Sequence, residues 1–370
     1  MKSSIHSSFS RRRFLGLAAG ATAALMANPR LALGKEPLKI LILGGTGFTG
    51  PHQVETALGR GHQVTLFNRG VSQPGLFPQV ENLTGDREGD LSALKGRKWD
   101  AVIDNSGNVP RWVESAAAVL KGNVGQYIYV SSISAYADQS VVGLKETAPL
   151  QQITEAQAQE LTANNYGGVK ALCEAKTQAA FPQTSTIVRT GLIVGPGDPT
   201  DRFTYWPVRL HDGGTVLAPG KPTDPIQCID ARDLAQWMIT ALEDKHYGIY
   251  NVTGPRQPLT IGDFLEGVKG TVNSDATLSW VPADFLQKKG ITPWGDMPLW
   301  VPPGSEISGL TTIDISRALK AGLTFRPMAL TVQDSLAWYR SEPGERQLKA
   351  GLTPAREASL LREWAQASPE

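Results

Sequence analysis

The stretch that most constrains this chain is Gly44-Gly45-Thr46-Gly47-Phe48-Thr49-Gly50. It follows the apolar run Leu38-Lys39-Ile40-Leu41-Ile42-Leu43 and leads into a helix-compatible segment through Leu58. The pattern reads as a strand, a tight glycine loop and a helix N-terminus. Residues without Cβ atoms let the chain turn sharply and let a pyrophosphate approach the backbone, while the helix N-terminus offers free N–H groups and a positive dipole end. The spacing satisfies both Gly-x-Gly-x-x-Gly and Gly-x-x-Gly-x-x-Gly, and a second apolar strand, Gln63 to Phe67, follows the turn Gly59-Arg60-Gly61-His62. A βαβ unit built in this way predicts a dinucleotide site, with Gly44, Gly47, Phe48, Thr49 and Gly50 in contact with the nucleotide.

At 370 residues with 41% hydrophobic content, the chain exceeds one compact domain and fits a nucleotide-binding domain with an appended lobe. Lys and Arg total 36 against 35 Asp and Glu, so no global field attracts nucleic acid or an acidic membrane, and a small-molecule substrate is the expected partner. A homodimer is possible. Ser10-Arg11-Arg12-Arg13-Phe14-Leu15-Gly16, followed by a moderately apolar run to Met26, looks like a twin-arginine export signal over residues 1–34, with a cleavage site near Ala32-Leu33-Gly34. The run is too short and glycine-interrupted to span a bilayer, so a periplasmic or other extracytoplasmic protein, free of the membrane after signal removal, is expected. Cys173 and Cys228 show no metal-ligand spacing with histidine; both read as small buried hydrophobes, and no metal is expected.

Further on, Asn68-Arg69-Gly70 ends the second strand, where an acidic residue would hold the ribose hydroxyls of NAD and a guanidinium suits the 2′-phosphate of NADP. Arg69 therefore favours NADP, with NAD possible. A third strand runs from Val80 to Asp86 and a fourth from Trp99 to Asp104, so Asp86 and Asn105 fall at strand carboxyl ends, where ligands of open α/β sheets bind. A helix from Arg111 to Leu120 precedes a fifth strand, Gln126 to Val130, which ends in Ser131-Ser132-Ile133-Ser134. A helix-compatible segment from about Glu155 to Ala180 carries Tyr166-Gly167-Gly168-Val169-Lys170. Residues four apart share a helix face, so Tyr166 and Lys170 can face one cleft. The two glycines cost a helix roughly 1 kcal/mol each, which implies a close approach to the backbone.

The glycine loop, the Tyr129-Val130-Ser131-Ser132 strand end and the Tyr166/Lys170 pair resemble the extended short-chain dehydrogenase/reductases, which include NAD(P)-dependent sugar epimerases and dehydratases. The resemblance continues through Arg189 to Pro196, Ile226 to Leu242 and Tyr250 to Gly254, nearly the whole chain after the signal. It implies a Rossmann doubly wound parallel α/β sheet over 35–195, completed by parts of 225–255. A smaller C-terminal α/β substrate lobe over 196–340 and a final helix within 341–370 follow. It also implies a site in which Ser132 hydrogen-bonds a substrate oxygen, Tyr166 exchanges its proton, and Lys170 holds the nicotinamide ribose. Tyrosine ordinarily ionises near pH ~10, and a neighbouring ammonium favours the phenolate.

After the sixth strand, Arg202, Tyr205 and Trp206 read equally well as substrate contacts, with Arg202 the charged anchor and the aromatic rings stacking on a sugar, or as lobe core. The leading expectation is an exported NAD(P)-dependent oxidoreductase or epimerase acting on a hydroxyl or carbonyl of a sugar derivative. A non-catalytic nucleotide-binding protein and an RNA-associated member of the same fold are the alternatives. The full Ser-Tyr-Lys set argues against the first and the balanced charge against the second. A nicotinamide enzyme sent out of the cytoplasm is expected to carry its nucleotide inside the folded chain.

Overall fold

A computed structural model describes residues 35–73, 75–342, 344 and 346–367. The arginine cluster and the expected cleavage site lie outside the described residues. Seven apolar stretches form strands: β1 (Lys39–Leu43), β2 (Gln63–Asn68), β3 (Glu81–Thr84), β4 (Trp99–Asp104), β5 (Val124–Ser132), β6 (Ser185–Thr190) and β7 (Gly248–Val252). They assemble into one sheet in the order β7-β6-β5-β4-β1-β2-β3, with every neighbouring pair parallel. The order reverses direction at β1, the topological switch point at which such sheets bind ligands. Parallel strands covered on both faces read as continuous apolar runs, and β1 is buried from Ile40 to Leu43.

Helices α1 (Gly50–Gly59), α2 (Pro110–Leu120) and α3 (Tyr166–Ala180) belong to the sheet crossovers. Pro51 and Pro110 lie in the first turns of α1 and α2, where a missing N–H costs nothing. Val113, Ala116, Ala117 and Leu120 of α2 join Val169 and Cys173 of α3 against one sheet face. Val54 and Ala57 of α1 cover the other, with Leu234 and Trp237 from a later helix described below. The Rossmann doubly wound parallel sheet is thus the architecture of this chain. Cys173 and Cys228 are buried and unpaired, and burial pushes their thiols up to about 11 and about 12.

The helix expected from about Glu155 begins only at Tyr166. Polar side chains in the preceding segment bond the local backbone and compete with a helix ladder. Thr154 and Thr162 accept from the N–H groups of Gln157 and Asn165, and the Asn165 amide donates to the carbonyls of Gln157 and Glu160. The close approach that the two helix glycines imply is made by the chain itself. A Cβ on Gly167 would lie 2.0 Å from the Ser134 carbonyl oxygen, and one on Gly168 would lie 2.5 Å from Ile153.

The second core is built by α4 (Tyr205–His211), α6 (Ile261–Val272), α7 (Met328–Ser341) and α8 (Pro354–Ala367), with α5 (Ala231–Glu243) returning to the sheet. A short parallel pair, Thr215–Pro219 with Thr277–Val281, runs through this core. Tyr205 and Trp206 are both at most 1% exposed within it, and the Trp206 indole donates to the Pro298 carbonyl. Both aromatics are lobe core, so their stacking on a substrate is excluded. From Pro37 onward the chain is one compact unit.

Candidate active site

In a parallel sheet every strand ends at the same edge, so the residues after β1 to β6 converge there. Gly44, Asn68, Asp86 and Asn105 follow or end β1 to β4, and together with Gly47, Phe48, Thr49 and Arg69 they line one cavity of about 460 Å3. Ser132 ends β5 and Thr190 ends β6; with Tyr166, Trp294 and Arg202 they line a second cavity of about 770 Å3. Phe48 lines both.

The glycines of the loop have different reasons. Gly44 has φ +80, and a Cβ there would press on Ser106 at 2.9 Å. A Cβ on Gly50 would lie 2.4 Å from the Gly45 carbonyl, so this glycine lets helix α1 start against the loop and does not line the cavity. Gly47 is the informative one. Its Cβ would meet no protein atom nearer than 4.0 Å and would project from the wall of the nucleotide cavity. Packing among the described residues therefore does not require glycine at that position.

Asn105 and Gln53 hold each other by two amide hydrogen bonds of 2.7 and 2.8 Å, fixing the loop after β4 to α1. The Asn68 side chain accepts from the Gly70 N–H at 2.8 Å, and Arg69 is exposed on the cavity wall without a hydrogen bond or ion pair to the described residues. The wall also contains a group that sequence reasoning missed. Arg87 donates to both Asp104 oxygens, at 2.7 and 2.9 Å, and to the Ser106 hydroxyl and the Trp112 carbonyl. The Tyr127 hydroxyl donates to the same carboxylate at 2.6 Å. Burial alone would raise the Asp104 carboxyl, but the guanidinium and these hydrogen bonds hold it below the ordinary carboxylate range. The available sequence signal was an acid closing the otherwise apolar Ala101-Val102-Ile103-Asp104.

In the second cavity, the Ser132 oxygen accepts from the Ser134 N–H at 3.1 Å, which leaves its own proton without a partner among the described residues. Ser131 is turned away and donates to the buried Glu174 at 2.5 Å. Tyr166 opens helix α3 and its hydroxyl makes no hydrogen bond to the described residues. Lys170 lies one turn on and lines neither cavity. Its buried ammonium donates to the Val130 carbonyl at 2.9 Å and sits 4.8 Å from the centre of the Tyr129 ring. The structure thus puts Ser132 and Tyr166 on one cavity and leaves Lys170 out of its lining. Arg202 faces the same space, close enough to Tyr166 for the two to interact electrostatically. Burial raises the neighbouring Asp198 carboxyl and lowers Arg202.

The family model described as NAD dependent epimerase/dehydratase family matches residues 40–253. The chain belongs to this family. It is similar to the Arabidopsis thaliana chloroplast stem-loop binding protein of 41 kDa b, 36% identical over 120 residues, which cover 28% of this chain and 32% of that protein. The match therefore spans about a third of that relative. The chain is also similar to UDP-glucose 4-epimerase of Neisseria meningitidis serogroup B, 27% identical over 264 residues, 62% of this chain and 71% of the relative. Among solved structures, the Bordetella bronchiseptica enzyme WbmH in complex with NAD+ has a TM-score of 0.60 at 16% identity, covering 84% of this chain and 100% of that one. That likeness is one of fold.

The Arg87–Asp104 pair gives a measurable consequence. Asp104→Asn leaves a buried guanidinium unpaired and is expected to cost about 3–5 kcal/mol of stability. Because the Asp104 carboxyl is held low in the folded state, its contribution is present above the ordinary carboxylate range and is lost as pH falls below it. Thermal denaturation from neutral pH to well below the ordinary carboxylate range checks both points: wild type should lose this increment only at the acid end, and Asp104→Asn should lack it throughout.

Proposed function

We propose that this family member is an exported NAD(P)-dependent oxidoreductase or epimerase acting on a hydroxyl or carbonyl of a sugar or sugar derivative. The observation that carries the reading is the pair Ser132 and Tyr166 on one cavity wall, with the Ser132 proton and the Tyr166 hydroxyl unpartnered among the described residues, and with Phe48 shared between that cavity and the glycine-loop cavity. Gly47, Asn68, Arg69, Asp86 and Asn105 would hold the dinucleotide, whose nicotinamide, when bound, supplies or accepts hydride. Ser132 donates its proton in a hydrogen bond to the substrate oxygen, orienting it toward Tyr166. The Tyr166 hydroxyl gives that oxygen a proton in the reductive direction and takes one back in the oxidative direction. Lys170, one helical turn from Tyr166, has one donor committed to Val130 and would turn its remaining donors toward the nicotinamide ribose.

A sugar substrate is supported by the similarity to UDP-glucose 4-epimerase, and enzyme function by the hydroxyl pair. The stem-loop binding relative shares only 28% of this chain, and the balanced charge does not favour a phosphate-rich partner. Export rests on Arg11-Arg12-Arg13 and the apolar run after them.

Three measurements test the reading. Tyr166→Phe removes the proton carrier and no phosphate contact, so kcat should fall by ~10²-fold or more with nucleotide affinity nearly unchanged; steady-state rates and a nucleotide titration check it, and a near-wild-type rate rejects the role of Tyr166. Arg69→Ala should weaken NADP by roughly 1.5–3 kcal/mol and NAD little, because only NADP carries the 2′-phosphate; equal weakening of both leaves Arg69 without that role. Protein recovered from the periplasm should contain one nucleotide per chain after dialysis, identified in the denatured supernatant, whereas an empty protein that turns over only with added cofactor defeats the self-contained cycle.

A further inference from the structure

Helix α3 and the end of β5 carry the two hydroxyls of the proposed chemistry, and buried polar contacts tie one element to the other. Tyr166, Lys170 and Glu174 are spaced four apart and so lie along one face of α3. Beside Tyr166, Gly167 abuts the turn after Ser132, with no room for a Cβ against the Ser134 carbonyl. One turn on, Lys170 donates to the Val130 carbonyl at 2.9 Å; one turn further, Glu174 accepts from the Ser131 hydroxyl at 2.5 Å. The two residues before Ser132 are therefore both held by the helix that Tyr166 opens.

Glu174 is the most heavily bonded of these ties. It is 1% exposed, and Arg189 of β6 meets its carboxylate with Nε at 3.0 and 3.2 Å and with one terminal nitrogen at 2.7 Å. The other terminal nitrogen of Arg189 donates to the Glu146 carbonyl at 2.9 Å, and the guanidinium carbon lies 4.9 Å from the centre of the Tyr136 ring. Ser131 and Arg189 are register partners in the sheet, so the two side chains that reach Glu174 stand side by side. Successive side chains of a strand point to opposite faces, which turns Ser132 away from Glu174 and toward the cavity it lines. Stability alone does not call for such a group, because a buried ion pair often gains nothing over apolar packing of similar volume. What it adds is a fixed distance between helix and strand.

We infer that Glu174 is a positioning residue for the reaction: by holding Ser131 against α3 it sets the separation of the Ser132 and Tyr166 hydroxyls and keeps the neighbouring Ser131 hydroxyl out of the cavity. This deepens the proposed function and rests on that reading of Ser132 and Tyr166. Glu174 lines neither cavity, so it acts only through geometry. Two hydroxyls that serve one substrate oxygen must be held to within about 0.5 Å of their productive places. The length of the Glu174 side chain therefore governs turnover, whereas its charge governs stability through Arg189.

The experiment separates length from charge. Glu174→Asp keeps the charge and shortens the arm by a methylene, whereas Glu174→Gln keeps the length and removes the charge. In crystal structures, the Ser132 Oγ to Tyr166 Oη separation should differ from wild type by about 0.5 Å or more in Glu174→Asp and by less in Glu174→Gln. Ser131→Ala, which leaves the Glu174–Arg189 pair whole, should change the separation too, and Ser131→Thr should restore it. With UDP-glucose as the probe and NAD as the cofactor, kcat should fall about tenfold or more in Glu174→Asp and Ser131→Ala, the scale of a misplacement at the reacting atoms. KM and NAD affinity should stay near their wild-type values, and Glu174→Gln should keep more activity than Glu174→Asp despite a lower melting temperature. Activity that simply follows melting temperature across the variants, or an unchanged separation in both Glu174→Asp and Ser131→Ala, overturns the inference. Should Glu174→Gln fail to fold, Glu174→Asp and the two Ser131 variants decide; should wild type not turn over UDP-glucose, the crystallographic separation decides alone. Tyr166→Phe keeps the two readings apart: a wild-type rate there rejects the proposed chemistry, while the separation in the Glu174 variants still accepts or rejects the positioning role.

Discussion

A buried ion pair, Arg87 with Asp104, fixes the edge of the sheet at which everything else happens. Asp104 closes β4, Arg87 follows β3, and the Tyr127 hydroxyl from β5 joins the same carboxylate. The remaining donors of the guanidinium reach the Ser106 hydroxyl and the Trp112 carbonyl, so one charged group ties three strands and the start of α2 together. Such a pair costs desolvation on both partners, and its multiple hydrogen bonds offset that cost. Hydrophobic packing alone would not fix the loops after β3 and β4, because these loops are polar and turn toward the cavity.

The two cavities are coupled through Phe48. It stands on the glycine loop, borders both spaces and lies 3.7 Å from where a Cβ on Gly197 would be, in the loop after β6. Gly197 has φ +86 there, so both conformation and proximity favour glycine. The segment leading into the second core therefore rests on the glycine loop. At its far side the same segment is clamped by the Asp201–Arg346 pair, which brings the chain near its C-terminal helix to bear on the substrate cavity.

Much of this was legible in order along the chain. Continuous apolar runs gave the strands, since a strand buried on both faces needs no alternation, and the glycine spacing located the nucleotide loop. Three features were not legible. The segment before Tyr166 has helix-compatible composition, yet its threonine and asparagine side chains satisfy the backbone locally. Tyr205 and Trp206 carry the same atoms whether they face a ligand or a core, and only the position of Pro298 and the surrounding apolar side chains settles which. Gly167 and Gly168 advertise a close approach, but the sequence does not say that Ser134 and Ile153 make it.

By itself the sequence determined the parallel sheet, the nucleotide loop, and the candidacy of Ser132 and Tyr166, because these depend on local spacing: strand ends, turns and one helical turn. Tertiary structure alone decided which polar groups are already satisfied. Ser131 is committed to Glu174 and one Lys170 donor to the Val130 carbonyl, whereas Ser132, Tyr166 and Arg202 retain hydrogen-bonding capacity toward one cavity among the described residues. The reason is that a side chain's capacity to act depends on partners dozens of residues away in sequence, and only the folded chain brings those partners within a hydrogen bond.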